Sequence, residues 1–464
     1  MMTTKKLGKV SWFPLPYNSG HRNVQGRLGA SLILGLTTLG SSPVQALKTD
    51  FGMEYRATAF ALQSSAFENA SGESDTDNGL GHLVRVKANF LDEDTGISVR
   101  TSIELAGDRW VGDDHDTGSN APSFNTTSRG DNVRLDLGYV QIPLSKVILH
   151  VGRVASSFNH CFISCDDRHD TLLVFGQLGR NTTLFAEYYR VNDTSPFQSK
   201  DNGGEVDVGV ISKFNGIKTG LLYGVWENSY DSGYGTPDAN GYDMSGVNLL
   251  TGYVSGDIGH FTATAGFNWF GGGNVKYRDG DGKTTGQVFS SDSPAAYLRL
   301  VRDSAPWQFG LQVVGVWDGG YVSPGFDTWS SMLNSNPTAT NNPTSLYAIG
   351  QGFGLKGFDQ NLIATKIGFD VTPKLNITGA VGRLHIDNHG KLSYTAKEQE
   401  SSMVYDLRFT YKVRKGVKLW WNLGYLEKNR AAEGLHGNGL SGVGSVATFD
   451  EDAKATSLNL TVDF

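Results

Sequence analysis

From residue 47 onward the chain alternates apolar and polar positions with a period of two. Leu458, Leu460, Val462 and Phe464 interleave with Asn459, Thr461 and Asp463, and Val84, Val86, Ala88 and Phe90 with Arg85, Lys87 and Asn89. Tyr405, Leu407, Phe409 and Tyr411 interleave with Asp406, Arg408, Thr410 and Lys412. Successive side chains of a strand point to opposite faces, so each segment predicts a strand with one apolar and one polar, often charged, face. Eighteen such segments are predicted, at 48–63, 80–92, 96–107, 132–143, 146–157, 168–178, 181–192, 205–215, 217–229, 243–256, 259–271, 292–303, 306–318, 358–372, 374–386, 400–413, 416–428 and 452–464. No stretch in this region keeps an apolar repeat of 3.6 residues.

The connections alternate between tight turns, such as Asn215-Gly216 and Arg414-Lys415-Gly416, and long loops, the longest near 319–357. Long-short alternation is what a sheet threaded from one side of a bilayer produces, with tight turns on one rim and loops on the other. An open sheet in lipid would leave its edge amides and carbonyls unpaired, so the strands must close. The expected fold is all-β, a transmembrane antiparallel up-and-down barrel of about eighteen strands with short periplasmic turns and long extracellular loops. A soluble sandwich would need one core for eighteen segments, and a propeller would show a repeated blade motif that is absent here.

Composition sharpens this picture by exclusion. Aromatics make up 11% of the 464 residues, too many for a disordered chain, and two cysteines are too few for a disulfide scaffold. The longest apolar stretch, Leu28–Leu39, is well short of the roughly 20 residues a spanning helix needs. It follows Lys5, Lys6, Lys9, Arg22 and Arg27 and precedes Ser42-Pro43-Val44-Gln45-Ala46, which has small residues at the -3 and -1 positions. Residues 1–46 therefore read as a secretory signal peptide and 47–464 as the barrel. Removing those five cations from a formal net charge of -7 leaves -12, which argues against nucleic acid as a partner.

The terminal strand, with Leu458, Leu460 and Val462 alternating up to a final Phe464, resembles that of Gram-negative outer-membrane β-barrel porins. A looser likeness, to eighteen-stranded porins of the alginate-export type, rests on Val151-Gly152-Arg153 followed by Asp166-Asp167-Arg168-His169-Asp170. The resemblance implies an outer-membrane location and a water-filled channel for passive diffusion of small hydrophilic solutes. It also implies contact with the lipid bilayer and lipopolysaccharide, and a terminal strand read by the outer-membrane assembly machinery through Leu458, Leu460, Val462 and Phe464. A homotrimer and a monomer are both open. Two alternatives stand beside this reading: a channel specific for an anionic saccharide or polymer, and a structural or adhesive barrel with a blocked lumen.

Following the alternation, the inward basic residues are Arg56, Arg85, Lys87, Arg100, Arg134, Lys213, Lys218, Arg299, Lys366, Arg408, Lys412 and Lys418. The inward acids are Glu54, Glu104, Asp136, Glu205, Asp207, Asp370, Asp406 and Asp463. A basic surplus on a narrow wall favours anions, unless the charges pair across strands and brace the barrel. The loop 319–357 is expected to stand above the outer rim rather than fold into the bore. Cys161 and Cys165 are expected to form a disulfide in an oxidising compartment, a metal site with His160 or His169 being the lesser alternative. Acid clusters at Glu73/Asp75/Asp77, Asp113/Asp114/Asp116 and Asp279/Asp281 lack the spacing of a calcium loop and read as solvated loops. No nucleophile motif stands between a strand and a helix, so neither an enzyme nor a cofactor is expected.

Overall fold

A computed structural model describes residues 47–65, 75–110, 133–193, 202–231, 241–271, 274–278, 284–289, 292–334, 344–346, 349–350, 357–389, 397–432 and 449–464. The expected signal peptide lies outside these residues. The strands are β1 (Leu47–Ser64), β2 (Asp75–Asp92), β3 (Ser98–Trp110), β4 (Arg134–Leu144), β5 (Val147–Phe158), β6 (Ser164–Leu178) and β7 (Thr182–Asp193). Then come β8 (Asn202–Phe214), β9 (Ile217–Asp231), β10 (Gly241–Ile258), β11 (Phe261–Gly271), β12 (Asn274–Arg278), β13 (Thr284–Phe289) and β14 (Ser293–Ser304). The last six are β15 (Trp307–Val316), β16 (Phe358–Asp370), β17 (Leu375–His389), β18 (Lys397–Arg414), β19 (Val417–Leu426) and β20 (Ala453–Asp463).

Eighteen of these strands form the wall, each antiparallel to its neighbours in chain order. The wall passes from β11 directly to β14, through pairs such as Gly266↔Tyr297. It closes where β20 pairs with β1, through Tyr55↔Val462 and Ala59↔Leu458. The eighteen predicted segments all fall on these wall strands. The alternation does not announce β12 and β13, a small hairpin that extends β10 through Tyr242↔Tyr277 beyond the wall. The tight turns are built by residues that accept left-handed backbone: Asn215 and Gly216, at φ 49° and 84°, join β8 to β9. An Asn-Gly pair is the cheapest way to reverse a hairpin with the right twist.

The outer face is apolar and exposed. Leu184, Leu221, Leu298, Ile363, Leu458 and Trp421 are among its large exposed residues. Aromatic rings cluster on it near the short turns, with Trp307 against Phe369 at 4.6 Å and Phe409 against Trp421 at 5.5 Å.

Inside, one arc of the wall is not polar. Val314 and Val316 on β15, Leu362 on β16, Leu384 and Ile386 on β17 and Val404 on β18 are buried. They pack in one cluster with Val322, Phe326, Met332, Leu333, Leu346 and Ile349 of the β15–β16 connection. That connection therefore folds into the barrel instead of standing above the rim. Each such side chain gains about 1.5–3 kcal/mol from burial, which drives an apolar loop out of water and onto the nearest apolar wall.

Candidate functional site

Two connections meet in the lumen. The shorter, between β5 and β6, turns through three successive left-handed residues, Asn159, His160 and Cys161, at φ 52°, 53° and 68°. Left-handed backbone costs a side-chain-bearing residue roughly 1–2 kcal/mol, so the turn needs anchors. One is a disulfide between Cys161 and Cys165, whose Cα atoms are 4.4 Å apart. Another is Asn159, whose Nδ2 donates to the Thr251 hydroxyl at 3.0 Å and the Phe267 carbonyl at 3.1 Å, while Oδ1 accepts from the Tyr297 hydroxyl at 3.2 Å. These partners sit on β10, β11 and β14, so the connection reaches across the lumen from β5.

Asn268 then joins both connections. Its Nδ2 donates to the Phe162 carbonyl at 2.9 Å and to the Tyr321 carbonyl at 3.0 Å. The Ser323 amide donates to the Phe162 carbonyl at 3.0 Å, and the rings of Phe162 and Phe326 lie 5.0 Å apart. His160 rests against the Tyr253 ring at 4.9 Å. Burial, with Arg299 and Lys218 adding to it, pushes its imidazole down from 6.5 to about 4, so it is neutral at physiological pH.

The inward charges divide into three groups by strand. On β1 to β4, Arg85 meets Asp136 at 2.9 Å, Glu104 at 2.6 Å and Glu54 at 3.5 Å. Glu54 also holds Lys87 at 2.6 Å and Arg56 at 2.5 Å. Arg168 of β6 reaches the other Asp136 oxygen at 2.8 Å and Asp166 at 2.7 Å. Four acids thus answer four bases. Arg168 belongs to the segment that carries the alginate-type likeness and is not among the expected wall charges. The backbone of Arg134 pairs with that of Glu104, and nothing of its side chain is described. Arg100 lies within 3.5 Å of the Tyr139 hydroxyl.

On β14 to β19 the cations meet no carboxylate partner as a salt bridge among the described residues. Lys412 and Lys418 face each other directly in register, in a row that continues through Thr461 to Arg56. Nearer the loop rim, Arg408 donates to the Asn422 side chain at 2.7 Å. Lys418 lies 4.7 Å from the Trp420 ring centre, whose face is electron-rich. Farther round, the incoming connection covers the cations. Trp329 stacks near both Arg299, at 5.6 Å, and Lys366, at 4.8 Å, and Arg299 donates to the Asp327 carbonyl at 2.6 Å. Asp406 accepts from the Ser331 amide at 2.8 Å.

A third group lies on β7 and β8, where Glu187, Glu205 and Asp207 face inward with Tyr189. Thr171 donates to Glu187 at 2.8 Å, and the Tyr189 hydroxyl donates to Glu205. Glu187 was not among the expected lumen acids. It occupies an inward position on a strand whose neighbouring aromatics, Tyr188 and Tyr189, hide the alternation.

Among the described residues no group of three or more His, Cys, Asp or Glu side chains is placed to hold a metal ion. Asp113, Asp114, Asp116, Asp279, Asp281 and Glu73 lie outside the described residues. The terminal residues Leu458 and Phe464 point outward, 48% and 70% exposed, on the strand that closes the wall. The same outward parity places Leu460 and Val462 beside them.

With eighteen strands closed around two inward connections, the architecture is that of a transmembrane barrel, and comparison with solved structures agrees. The chain is similar to OccK2 (OpdF) of Pseudomonas aeruginosa, with a TM-score of 0.52 at 13% identity, covering 89% of this chain and 98% of that one. It is similar to OccK9 (OpdG) of the same organism, with a TM-score of 0.52 at 12% identity over 90% and 98%. OccAB1 of Acinetobacter baumannii gives a TM-score of 0.52 at 11% identity over 90% and 96%. The likeness is one of fold. No protein-family model matches the chain, and no curated protein matches it in sequence.

Proposed function

We propose that this chain is an outer-membrane porin of a Gram-negative bacterium, a passive channel for small hydrophilic solutes with a preference for anions. One observation carries the reading. The ion network of β1 to β6 balances its own charge, whereas Lys412, Lys418 and Arg408 face the lumen with no ion pair among the described residues. Fixed wall charge acts over a Debye length of about 8 Å at physiological salt, so it is felt only where the bore is comparably narrow. Two connections folded into the lumen supply that narrowing. The outward alternation of Leu458, Leu460, Val462 and Phe464 supports recognition by the assembly machinery, and the apolar outer band supports contact with lipid and lipopolysaccharide.

The test is a planar-bilayer recording under a potassium chloride gradient. A reversal potential displaced toward that of chloride, growing as salt is lowered, is expected. A channel that conducts without discrimination, or selects cations, overturns the anion preference. Absence of any conductance from correctly folded barrels overturns the porin reading and favours a blocked lumen.

A further inference from the structure

On the lipid side of the wall, close to the short turns, the outer faces of β18, β19 and β20 leave a groove of about 310 Å³. It is lined by Phe409, Tyr411, Leu419, Trp420, Trp421 and Leu458. Tyr411, Trp421 and Leu458 are 41%, 44% and 48% exposed, so no other described part of the chain fills it. An exposed apolar groove at this depth takes either an acyl chain or a second membrane-embedded surface, and the charge at its end decides between them.

That end is cationic. Two short turns, Thr372-Pro373-Lys374 and Arg414-Lys415-Gly416, lie side by side, because the Lys412 amide donates to the Lys374 carbonyl at 2.8 Å. Lys374, Arg414 and Lys415 are exposed, and none forms a salt bridge among the described residues. Arg414 stands three residues beyond Tyr411, roughly 8 Å along the barrel axis for a strand tilted near 40°. The Tyr411 hydroxyl has no protein partner among the described residues, as suits a ring in the interfacial belt. The carboxylates of Asp370 and Asp463 are on the lumen-facing parity of β16 and β20, and Asp370 accepts from the Asn376 side chain at 2.8 Å. Three cations against the chain's terminal carboxylate leave this rim of β16 to β20 positive, with three donors on each lysine and five on the arginine.

We propose that Lys374, Arg414 and Lys415, with the Tyr411 hydroxyl, bind the phosphate of an anionic phospholipid whose acyl chain lies in the groove over Phe409, Trp421 and Leu458. In the orientation of the porin reading, on which this inference rests, the short turns face the periplasm and the lipid belongs to the inner leaflet of the outer membrane. A headgroup that carries its own ammonium brings a fourth cation to the rim, so phosphatidylglycerol is preferred over zwitterionic lipid.

The experiment reconstitutes the whole barrel into phosphatidylcholine vesicles containing a rising fraction of phosphatidylglycerol with brominated acyl chains, which quench tryptophan fluorescence on contact. Lipid occupies both leaflets, so the reading does not depend on orientation. Wild type is expected to reach half-maximal quenching at a several-fold lower fraction of brominated phosphatidylglycerol than of brominated phosphatidylcholine. K374Q/R414Q/K415Q should remove that difference, as should 1 M salt, where the Debye length is about 3 Å. Trp421→Phe should lose the early quenching. Gel mobility before and after heating establishes that each variant is folded. Equal quenching of wild type by the two lipids, a preference that survives the triple variant, or early quenching that survives W421F each overturns the proposal. Conductance of the same preparations reads the channel separately: lost lipid preference with normal conductance sinks this inference alone, and absent conductance with an intact preference sinks only the porin reading.

Discussion

The carboxylate of Asp406 accepts a hydrogen bond from the main-chain amide of Ser331 at 2.8 Å, although 75 residues separate them. It fastens the β15–β16 connection to β18 next to Arg408. Asp406→Ala leaves a buried amide without an acceptor, a loss of about 1–3 kcal/mol. Asp406→Asn keeps a carbonyl in place. Hydrogen exchange at Ser331 should therefore accelerate strongly in D406A and little in D406N, with larger current fluctuations in single channels of D406A alone. Equal exchange in the two variants would show that the loop is held by its apolar contacts without this bond.

Asn159 tolerates a left-handed backbone and hydrogen-bonds three strands, so its removal combines two losses. Asn159→Ala is expected to destabilise the β5–β6 turn by about 1–3 kcal/mol through unpaired polar groups, with strain adding to it. The Cys161–Cys165 bond in such a variant should become more accessible to a water-soluble reductant. An unaltered reduction rate would assign the seating of the turn to the disulfide and Phe162.

The network of β1 to β6 and the cations of β18 and β19 predict opposite mutant behaviour. Replacing Arg85 with methionine leaves Glu54, Glu104 and Asp136 short of a shared cation, and breaking such a buried network costs about 3–5 kcal/mol. Low yield of folded barrel is expected. Lys412→Met and Lys418→Met should fold at wild-type levels while the reversal potential moves toward zero. Thermal midpoints and reversal potentials measured side by side separate the two classes.

His160 makes the seating of its loop depend on pH. Its folded value of about 4 lies below the ordinary 6.5, so the unfolded or unseated loop binds the proton more readily. Stability is complete above about 6.5 and falls as pH drops toward 4. The β5–β6 turn should exchange faster at pH 5 than at pH 7 after correction for intrinsic rates, and His160→Gln should flatten that difference.

The wall was legible because a lipid-facing strand repeats every second residue, and the segments ending at Phe464 and Tyr411 show it without interruption. The inward loop was not legible, because Val322, Phe326, Met332 and Leu333 follow no period. A second signal was nevertheless present. On β17 the outward positions change from Leu375 and Ile377 to Arg383 and His385, while the inward ones change from Asn376 and Thr378 to Leu384 and Ile386. A strand whose polarity inverts half-way has something apolar to face inside. The pairing of Asp136 with Arg85 and Arg168 was hidden for another reason: it depends on register between strands, and on a shift in register between Ser102 and Ile103, which alternation cannot supply.

The apolar cluster in the lumen includes Phe60 and Leu62 of β1 and Ala453 and Ala455 of β20, the two strands whose pairing closes the wall. The connection from β15 therefore welds the seam from within. To part β1 from β20 and let a molecule slip sideways into the bilayer, the chain would have to unpack a core as well as unzip a ladder of hydrogen bonds. Anything moving within this barrel is thereby held to its axis, and the seam between the first and last strands is one of the hardest places in the wall to open.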